Sequence, residues 1–379
     1  MKNGINKVSH PFALNLFFTG KCNLNCHYCF VDKSGQGNST LDEKSLKKSV
    51  DLLFSYPGRR KSISFVGGEP MMEFLLVKRI SGYALKLAKK KKIILDIIVS
   101  TNGTLLSQKA VDYFIKNKII LKISIDGGRK TQNKNRPFKV LAKRSSFGAV
   151  MENLDKIKFK NLKITASLVF TPGNIDDLID NIKFLNSKNF HCIDFYPGYY
   201  ATWQKKDLLK LKEVFSQFEV YYKNLFKSNK KVFKNFQIGA IFNKLEFSRR
   251  DNCGKINVGA DGYFYACDKV FSLPDKQKKK YIVGNTETGL DNKKRNRLMK
   301  KLNKDFFKKN GLGCANCIFL NYCFCLLGHF IYFSNFKNAG LDKYIWKNLC
   351  FISKLYIKTV LELKKSLQNE LRFISLYRS

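Results

Sequence analysis

Cys22-Asn23-Leu24-Asn25-Cys26-His27-Tyr28-Cys29 places three cysteines within eight residues, spaced C-x3-C-x2-C. A tight loop with that spacing can aim three thiolates at one point. A structural zinc site closes with four protein ligands, so three thiolates suit an iron–sulfur cube better. A cube held by three cysteines leaves its fourth iron open to a substrate or cofactor. Taken alone, the triplet could also be a zinc knuckle or three unrelated thiols.

The chain around the triplet alternates apolar, β-rich runs with amphipathic helical stretches from residue 12 to residue 196. The first strand is expected over residues 12–18 and feeds straight into the cysteine loop. Five more are expected over 62–66, 93–100, 119–125, 164–170 and 191–196. Helices are expected over 41–54, 74–90, 109–116, 147–157 and 174–185. Leu46, Val50, Leu53 and Phe54 supply the apolar stripe of the first helix. Such alternation implies a parallel sheet with right-handed crossovers. The fold class is therefore α/β. Six units are fewer than a closed eightfold barrel requires, and functional residues should gather at the C-terminal strand ends.

The strand ends carry polar turns. The second strand runs into Gly67-Gly68-Glu69-Pro70, where glycines let the backbone approach a ligand and a glutamate can accept from an ammonium group. The third ends in Ser100-Thr101-Asn102-Gly103, the fourth in Ser124-Ile125-Asp126-Gly127 and the fifth in Thr171-Pro172. Any one of these turns could be ordinary loop chemistry; their order after successive strands is what makes a set of them.

The triplet, the aromatic Tyr28 just before its last cysteine and the GGEP turn resemble the radical S-adenosylmethionine (SAM) family. The resemblance implies an open six-unit partial (β/α)6 TIM-like barrel. It implies a 4Fe-4S cluster on Cys22, Cys26 and Cys29, whose open iron chelates SAM. Electron transfer from such a cluster cleaves SAM to methionine and a 5′-deoxyadenosyl radical. In that family the segment matching Gly67, Gly68 and Glu69 holds the SAM amino group. Ser100, Asn102, Ser124 and Asp126 match segments that line the SAM site, and the residue matching Ser124 contacts SAM polar groups. Arg144, before Ser145-Ser146-Phe147-Gly148, matches a basic residue that meets the SAM carboxylate, with Arg136 nearby as the alternative. The edge at Thr171-Pro172 should pack on adenine.

Residues 205–228 read as one long basic amphipathic helix bridging two domains, and residues 229–252 show no chemistry. Beyond them the cysteines cluster again. Gly262 permits a tight turn, so residues 258–268 read as a hairpin ending in a cysteine, Cys267. Cys314-x2-Cys317-x5-Cys323-x-Cys325 and then Cys350 follow. Two cysteine pairs at such distances could make a zinc ribbon. The pattern resembles instead the SPASM extension of peptide-modifying radical SAM enzymes, which holds two auxiliary 4Fe-4S clusters. That resemblance puts the outer cluster on Cys314, Cys317, Cys323 and Cys350. It leaves the inner cluster with Cys253, Cys267 and Cys325, because Leu327 stands where the family has its remaining cysteine. One or two auxiliary clusters are thus implied. Asp268 follows Cys267 directly; in sulfatase-maturing relatives an aspartate at this place is a base, and a carboxylate beside a cluster in a dry cleft could have the raised pKa that a base needs. It could equally cap the hairpin. Cys192, on the sixth strand, reads as a small buried thiol.

Seventy Lys+Arg against 29 Asp+Glu give a formal net charge of +41. An excess of that size suits nucleic acid, an acidic membrane surface or an acidic peptide. Lysine dominates and is spread over the chain, as at 89–92, 278–280 and 300–309, without clustered arginine forks or aromatic platforms. A solvated lysine-rich surface fits that spread. No run of about eighteen apolar residues argues for a membrane span, and no signal-peptide pattern precedes Cys22, so a cytoplasmic protein without membrane partners is expected. Eleven cysteines in a reducing compartment point to metal ligands rather than disulfides.

The expected layout is a barrel over 1–203, a helical linker over 204–250, a small cysteine-rich SPASM-like domain over 251–350 and a C-terminal helix over 351–379. The resemblance implies an enzyme that abstracts hydrogen from a residue of a ribosomally made peptide or of a protein, forming for example a thioether or another crosslink. Alternatives are a formylglycine-generating anaerobic sulfatase maturase, an RNA-modifying radical SAM enzyme, and a non-catalytic iron–sulfur protein. The implied partners are a precursor peptide or protein, acidic if the charge steers it, and an electron donor such as flavodoxin or ferredoxin. Only twenty-one residues precede Cys22, so a separate leader-binding protein or direct leader docking on the barrel is expected.

Overall fold

The computed structural model describes residues 10–31, 37–140, 144–156, 162–188, 190–199, 201–243, 254–309, 312–323 and 339–378. Its six leading strands are β1 Ala13–Thr19, β2 Arg60–Gly67, β3 Ile94–Thr101, β4 Ile120–Ser124, β5 Ile164–Phe170 and β6 Cys192–Pro197. Each pairs with the next in parallel, in chain order. Five of the crossover helices are α1 Glu43–Ser55, α2 Phe74–Lys90, α3 Gln108–Lys116, α5 Ser146–Lys156 and α6 Leu178–Ser187. The expected α/β partial barrel is present; β5 and α2 keep their expected ends, and other ends shift by up to four residues. Local chemistry sets those ends. The Asp42 side chain caps α1 by accepting from Ser45 N at 2.9 Å, and Ser107 caps α3 by accepting from Ala110 N at 3.3 Å.

One crossover helix carries no apolar stripe. α4 (Arg129–Asn135), sequence RKTQNKN, precedes α5 in the crossover from β4 to β5. Its inner face is polar and held by hydrogen bonds: Gln132 Oε1 accepts from Asp126 N at 2.9 Å, and Thr131 Oγ1 accepts from Asn181 Nδ2 at 3.1 Å. Apolar periodicity is blind to a helix docked in that way.

The sheet does not end at β1. β7 (Lys255–Gly259) pairs in parallel with the free edge of β1, from Ala13 opposite Lys255 to Phe17 opposite Gly259. β8 (Tyr263–Tyr265), β9 (Ile282–Asn285) and β10 (Gly289–Leu290) then continue it antiparallel, giving one ten-stranded sheet. The expected hairpin is β7–β8, and Gly262 takes φ +77° at its turn. Across the seam Asn15 Nδ2 donates to Asn257 Oδ1 at 2.9 Å, and Phe17 lies on Phe271 with ring centroids 4.0 Å apart.

α7 (Lys205–Lys227) lays Leu211, Val214, Phe215, Phe218 and Tyr222 inward. Phe215 and Phe218 meet Phe195 of β6, and Phe215 meets Tyr356 of the long helix Ala339–Leu367. That helix includes Cys350 and is followed by Leu371–Arg378. Within 229–252, where no pattern was visible, α8 (Phe236–Phe242) is capped by Asn235, whose Oδ1 accepts from Gln237 N at 3.0 Å and from Tyr356 Oη at 2.8 Å. Among the described residues no helix is long and apolar enough to cross a membrane.

Phe271 is fully buried between Phe17 and Tyr265 and joins the barrel to its extension. Phe271→Ala should lower stability by about 3–5 kcal/mol. Denaturant unfolding followed by circular dichroism measures it; a loss below about 1 kcal/mol would show that the seam does not depend on this ring.

Candidate active site

The cysteine loop leaves the C-terminal end of β1 and is fastened on two sides. On one side Gly68 N donates to Thr19 O at 2.8 Å and Glu69 N donates to Lys21 O at 2.6 Å. On the other, Asn25 N donates to Pro137 O at 2.7 Å, His27 N to Asn135 O at 3.0 Å and Lys139 N to Asn23 O at 3.0 Å. The two glycines were expected to let the backbone approach a ligand; in the structure they also admit the loop: a Cβ on Gly68 would lie 2.1 Å from Lys21 O, and Gly67 holds φ +120° with Thr19 O 2.7 Å from its ideal Cβ. Leu24, Phe138 and Ala149 form a small buried cluster against Cys22 and Cys26. Burial pushes the Cys22 thiol up to about 11 and the Cys26 thiol to about 12. Thiolates there need a cationic partner such as iron to form.

Glu69 is buried, and both its oxygens are engaged. Oε1 accepts from Met71 N at 3.0 Å and Thr101 Oγ1 at 2.6 Å, and Oε2 accepts from Asn102 N at 2.6 Å. Burial pushes this carboxyl up to about 7 against the pull of those three donors. A carboxylate has four acceptor sites, so one is left for a ligand's ammonium. Asn102 is equally committed, donating from Nδ2 to Asn23 Oδ1 at 2.8 Å and accepting at Oδ1 from Thr104 N at 3.0 Å.

Asp126 sits behind the loop, fully buried. Its oxygens accept from Arg136 Nη2 at 3.0 Å, Asn135 Nδ2 at 3.1 Å, Val169 N at 3.1 Å and the Tyr28 hydroxyl. Arg136 stacks its guanidinium 5.2 Å from the Tyr28 ring centroid and reaches Cys26 Sγ at 4.0 Å. Arg144 is exposed and lies over Phe138 at 5.1 Å. Of the two arginines, Arg136 is the one on the site's wall.

A cavity of about 530 Å³ opens at the strand ends. Cys22, Cys26, Cys29, Tyr28, Gly67, Gly68, Glu69, Ser100, Asn102, Ser124, Arg136 and Asp268 all line it. Asp126 and Arg144 do not. A second space of about 330 Å³ shares Tyr28, Cys29 and Phe30 with it and is bordered by His27, Thr171 and Pro172. Sequence reasoning missed Lys122, Tyr196 and Asn15 on the wall. The signal was available: Lys122 precedes Ser124 by two on β4, and Cys192, Asp194 and Tyr196 alternate on β6, so each set shares a face. Lys122 Nζ lies 3.2 Å from Asp194 Oδ2 and 3.4 Å from Tyr196 Oη. Cys192 is half-buried, and burial and Asp194 push its thiol up to about 12.

Asp268 reaches the cavity from the turn after β8, with Lys269 Nζ 3.9 Å from its Oδ1 and the Cys267 thiol 3.6 Å from the same oxygen. Cys314, Cys317, Cys323 and Cys350 line a separate small space of about 30 Å³ with Phe306, Trp346 and Leu320. Burial raises the thiols of Cys314 to about 11 and Cys323 to about 12. Cys253, Cys325 and Leu327 lie outside the described residues. The described cysteines form no disulfide, and among the described residues no set of three His, Cys, Asp or Glu converges tightly enough to share one metal ion. The three-cysteine loop, with an apolar backing and a buried cation at Cys26, fits a 4Fe-4S cluster. The adjoining cavity, with its polar strand ends, fits SAM.

Gly68→Ala should displace the cysteine loop: iron retained after anaerobic reconstitution should fall by more than half while far-ultraviolet circular dichroism is unchanged. Full iron loading would show that the loop can yield. Glu69→Gln puts an amide donor in place of one carboxylate oxygen, facing either Asn102 N or the Met71 and Thr101 donors, and should cost about 1–3 kcal/mol in denaturant unfolding; no loss of stability would mean that Glu69 does not brace β2 to β3.

Residues 16–204 match the model of the radical SAM superfamily. An uncharacterized protein of Methanocaldococcus jannaschii is 30% identical over 182 residues, 48% of this chain and 61% of that protein. The serine-type anaerobic sulfatase-maturating enzyme of Bacteroides thetaiotaomicron is 27% identical over 199 residues, 49% of this chain and 47% of that enzyme. The matched region thus spans about half to three-fifths of these relatives. Native anSMEcpe with bound AdoMet has the same fold, with a TM-score of 0.73 at 19% identity, covering 94% of this chain and 99% of that one. Streptococcus suis SuiB bound to precursor peptide SuiA shares it at a TM-score of 0.62 and 16% identity, covering 88% and 74%. With its three-cysteine loop, its GGEP turn and a barrel sheet that runs on into a cysteine-rich, SPASM-like extension, this chain belongs to the radical SAM superfamily of enzymes.

Proposed function

We propose that this enzyme is a maturase that abstracts hydrogen from a residue of a ribosomally made peptide or of a protein. The observation that carries the reading is the single cavity of about 530 Å³ that brings the cysteine loop, the GGEP turn and Asp268 together. Relatives and fold neighbours are named for sulfatase maturation and for binding a precursor peptide, which supports a polypeptide substrate. When bound, the cluster and SAM supply a 5′-deoxyadenosyl radical on one-electron reduction.

The chain's own residues would hold, orient and shield. Cys22, Cys26 and Cys29 hold the cluster. Glu69's remaining acceptor site, Ser100 and Ser124 offer polar contacts to SAM, and the space beside Thr171 and Pro172 takes its adenine. Tyr28 and Phe30 stand between the two spaces and keep water from the reacting carbon. Asp268 faces the cavity from outside the barrel, where a carboxylate can accept a proton from the substrate as it is oxidised. Cys314, Cys317, Cys323 and Cys350 would hold one auxiliary 4Fe-4S cluster, with Cys267 belonging to a second. A flavodoxin- or ferredoxin-like electron donor and a separate leader-binding protein complete the proposed system, with domain limits near residues 203, 250 and 350.

A second reading, formylglycine formation in a sulfatase, is favoured by the place of Asp268 beside Cys267. The two differ in product. Mass spectrometry after incubation with Cys- or Ser-containing peptides would show an aldehyde in one case and a crosslink in the other.

Anaerobically reconstituted protein, reduced with dithionite, should convert SAM to 5′-deoxyadenosine. Cys26→Ala should abolish this, and equal yield from that variant would overturn the radical SAM reading of the loop. Asp268→Asn should leave 5′-deoxyadenosine formation within a few-fold and lower modified product by about 10²-fold or more. Unchanged product would remove Asp268 as the proton acceptor.

A further inference from the structure

Arg136 and Asp126 form a buried charge pair whose cationic end faces the cysteine loop. The side chains are 8% and 0% exposed. One guanidinium nitrogen, Nη2, donates to Asp126 Oδ1 at 3.0 Å, and the other, Nη1, donates toward Cys26 Sγ at 4.0 Å. The Tyr28 ring stacks on the guanidinium, and Arg136 Nε is buried without a hydrogen-bond partner. Asp126 is held in turn by Asn135 and by Val169 N, so neither charge can swing away.

Hydrogen bonds to sulfur, net local charge and solvent exposure set the reduction potential of an iron–sulfur cluster. A cluster on three thiolates gains negative charge when reduced. A fixed cation beside one of those sulfurs favours the reduced form, and a carboxylate behind that cation tempers it. We infer that the Arg136–Asp126 pair sets the reduction potential of the cluster on Cys22, Cys26 and Cys29, with Arg136 as the positioning residue that faces it. This rests on the radical SAM reading of the cysteine loop.

The opposite charges of the pair make the inference testable by sign. Full-length protein is reconstituted anaerobically and titrated without SAM, following by electron paramagnetic resonance the signal that disappears in Cys26→Ala. Arg136→Gln should make reduction at least tenfold less favourable, 59 mV for a one-electron couple. Asp126→Asn should shift it in the opposite direction. Arg136→Lys, which keeps the charge, should stay closer to the wild type than Arg136→Gln. Unchanged potentials in both neutralising variants would overturn the inference, including the case where Arg136 serves only to bind the SAM carboxylate. So would shifts of both in the same direction, which mark a purely structural role. If Arg136→Gln fails to hold iron, Asp126→Asn decides alone. Absence in the wild type of any signal lost in Cys26→Ala would instead strike the radical SAM reading itself.

Discussion

The Asp126 carboxylate, fully buried, is the tie on which the site depends. It accepts from Tyr28 on the cysteine loop, Arg136 and Asn135 at the end of α4, and the backbone of Val169 on β5. Removing a carboxylate from water costs several kcal/mol, and only several charge-assisted donors offset that. The consequence is geometric. Three segments, the cysteine loop, the end of α4 and β5, are held at fixed positions around one acceptor, and the cysteine loop is thereby pinned to the barrel's C-terminal face. Glu69 does the same on the opposite side, binding the end of β2 to that of β3 through Thr101 and Asn102. Between these two carboxylates the loop has little freedom.

The second organising feature is the pairing of β7 with β1. A parallel neighbour on the edge of β1 lets the C-terminal half extend the barrel's own sheet rather than hang from it. The strand next to β7 then delivers Cys267 and Asp268 to the same rim as Cys22, Cys26 and Cys29. Phe17 and Phe271 fill the space beneath, Asn15 donates to Asn257, and Asn257 donates in turn to Tyr265 O. A residue about 240 positions from the cysteine loop, Asp268, reaches the cavity by this route.

The charge of +41 is not concentrated at the site. On the cavity wall Lys122 is matched by Asp194, Lys269 lies by Asp268, and Arg136 is matched by Asp126. Interior cations are thus largely balanced, as burial demands. Many of the remaining lysines stand in solvent, as on α2 and α7, where ion pairs with exposed partners contribute little.

The sequence by itself determined the six parallel strands, the helices with apolar stripes, the three-cysteine loop and the turns at the strand ends. These are local properties: periodicity, turn chemistry and ligand spacing are written within a few residues of one another. The tertiary structure decided what local pattern cannot express. α4 was invisible because its inner face is polar, and a polar face is recognised only through partners such as Asp126 and Asn181. Arg136 replaced Arg144 on the wall because a seven-residue helix turns it inward, while Arg144 is left on the surface over Phe138. Gly67 and Gly68 were legible as a point of close approach, but only the tertiary structure shows that the Thr19–Lys21 backbone approaches there. That β7 joins β1 follows from which sheet edge was left free once six strands had paired. No single strand's sequence records its neighbour, since backbone hydrogen bonds are common to all residues and side-chain complementarity exists only after the strands meet.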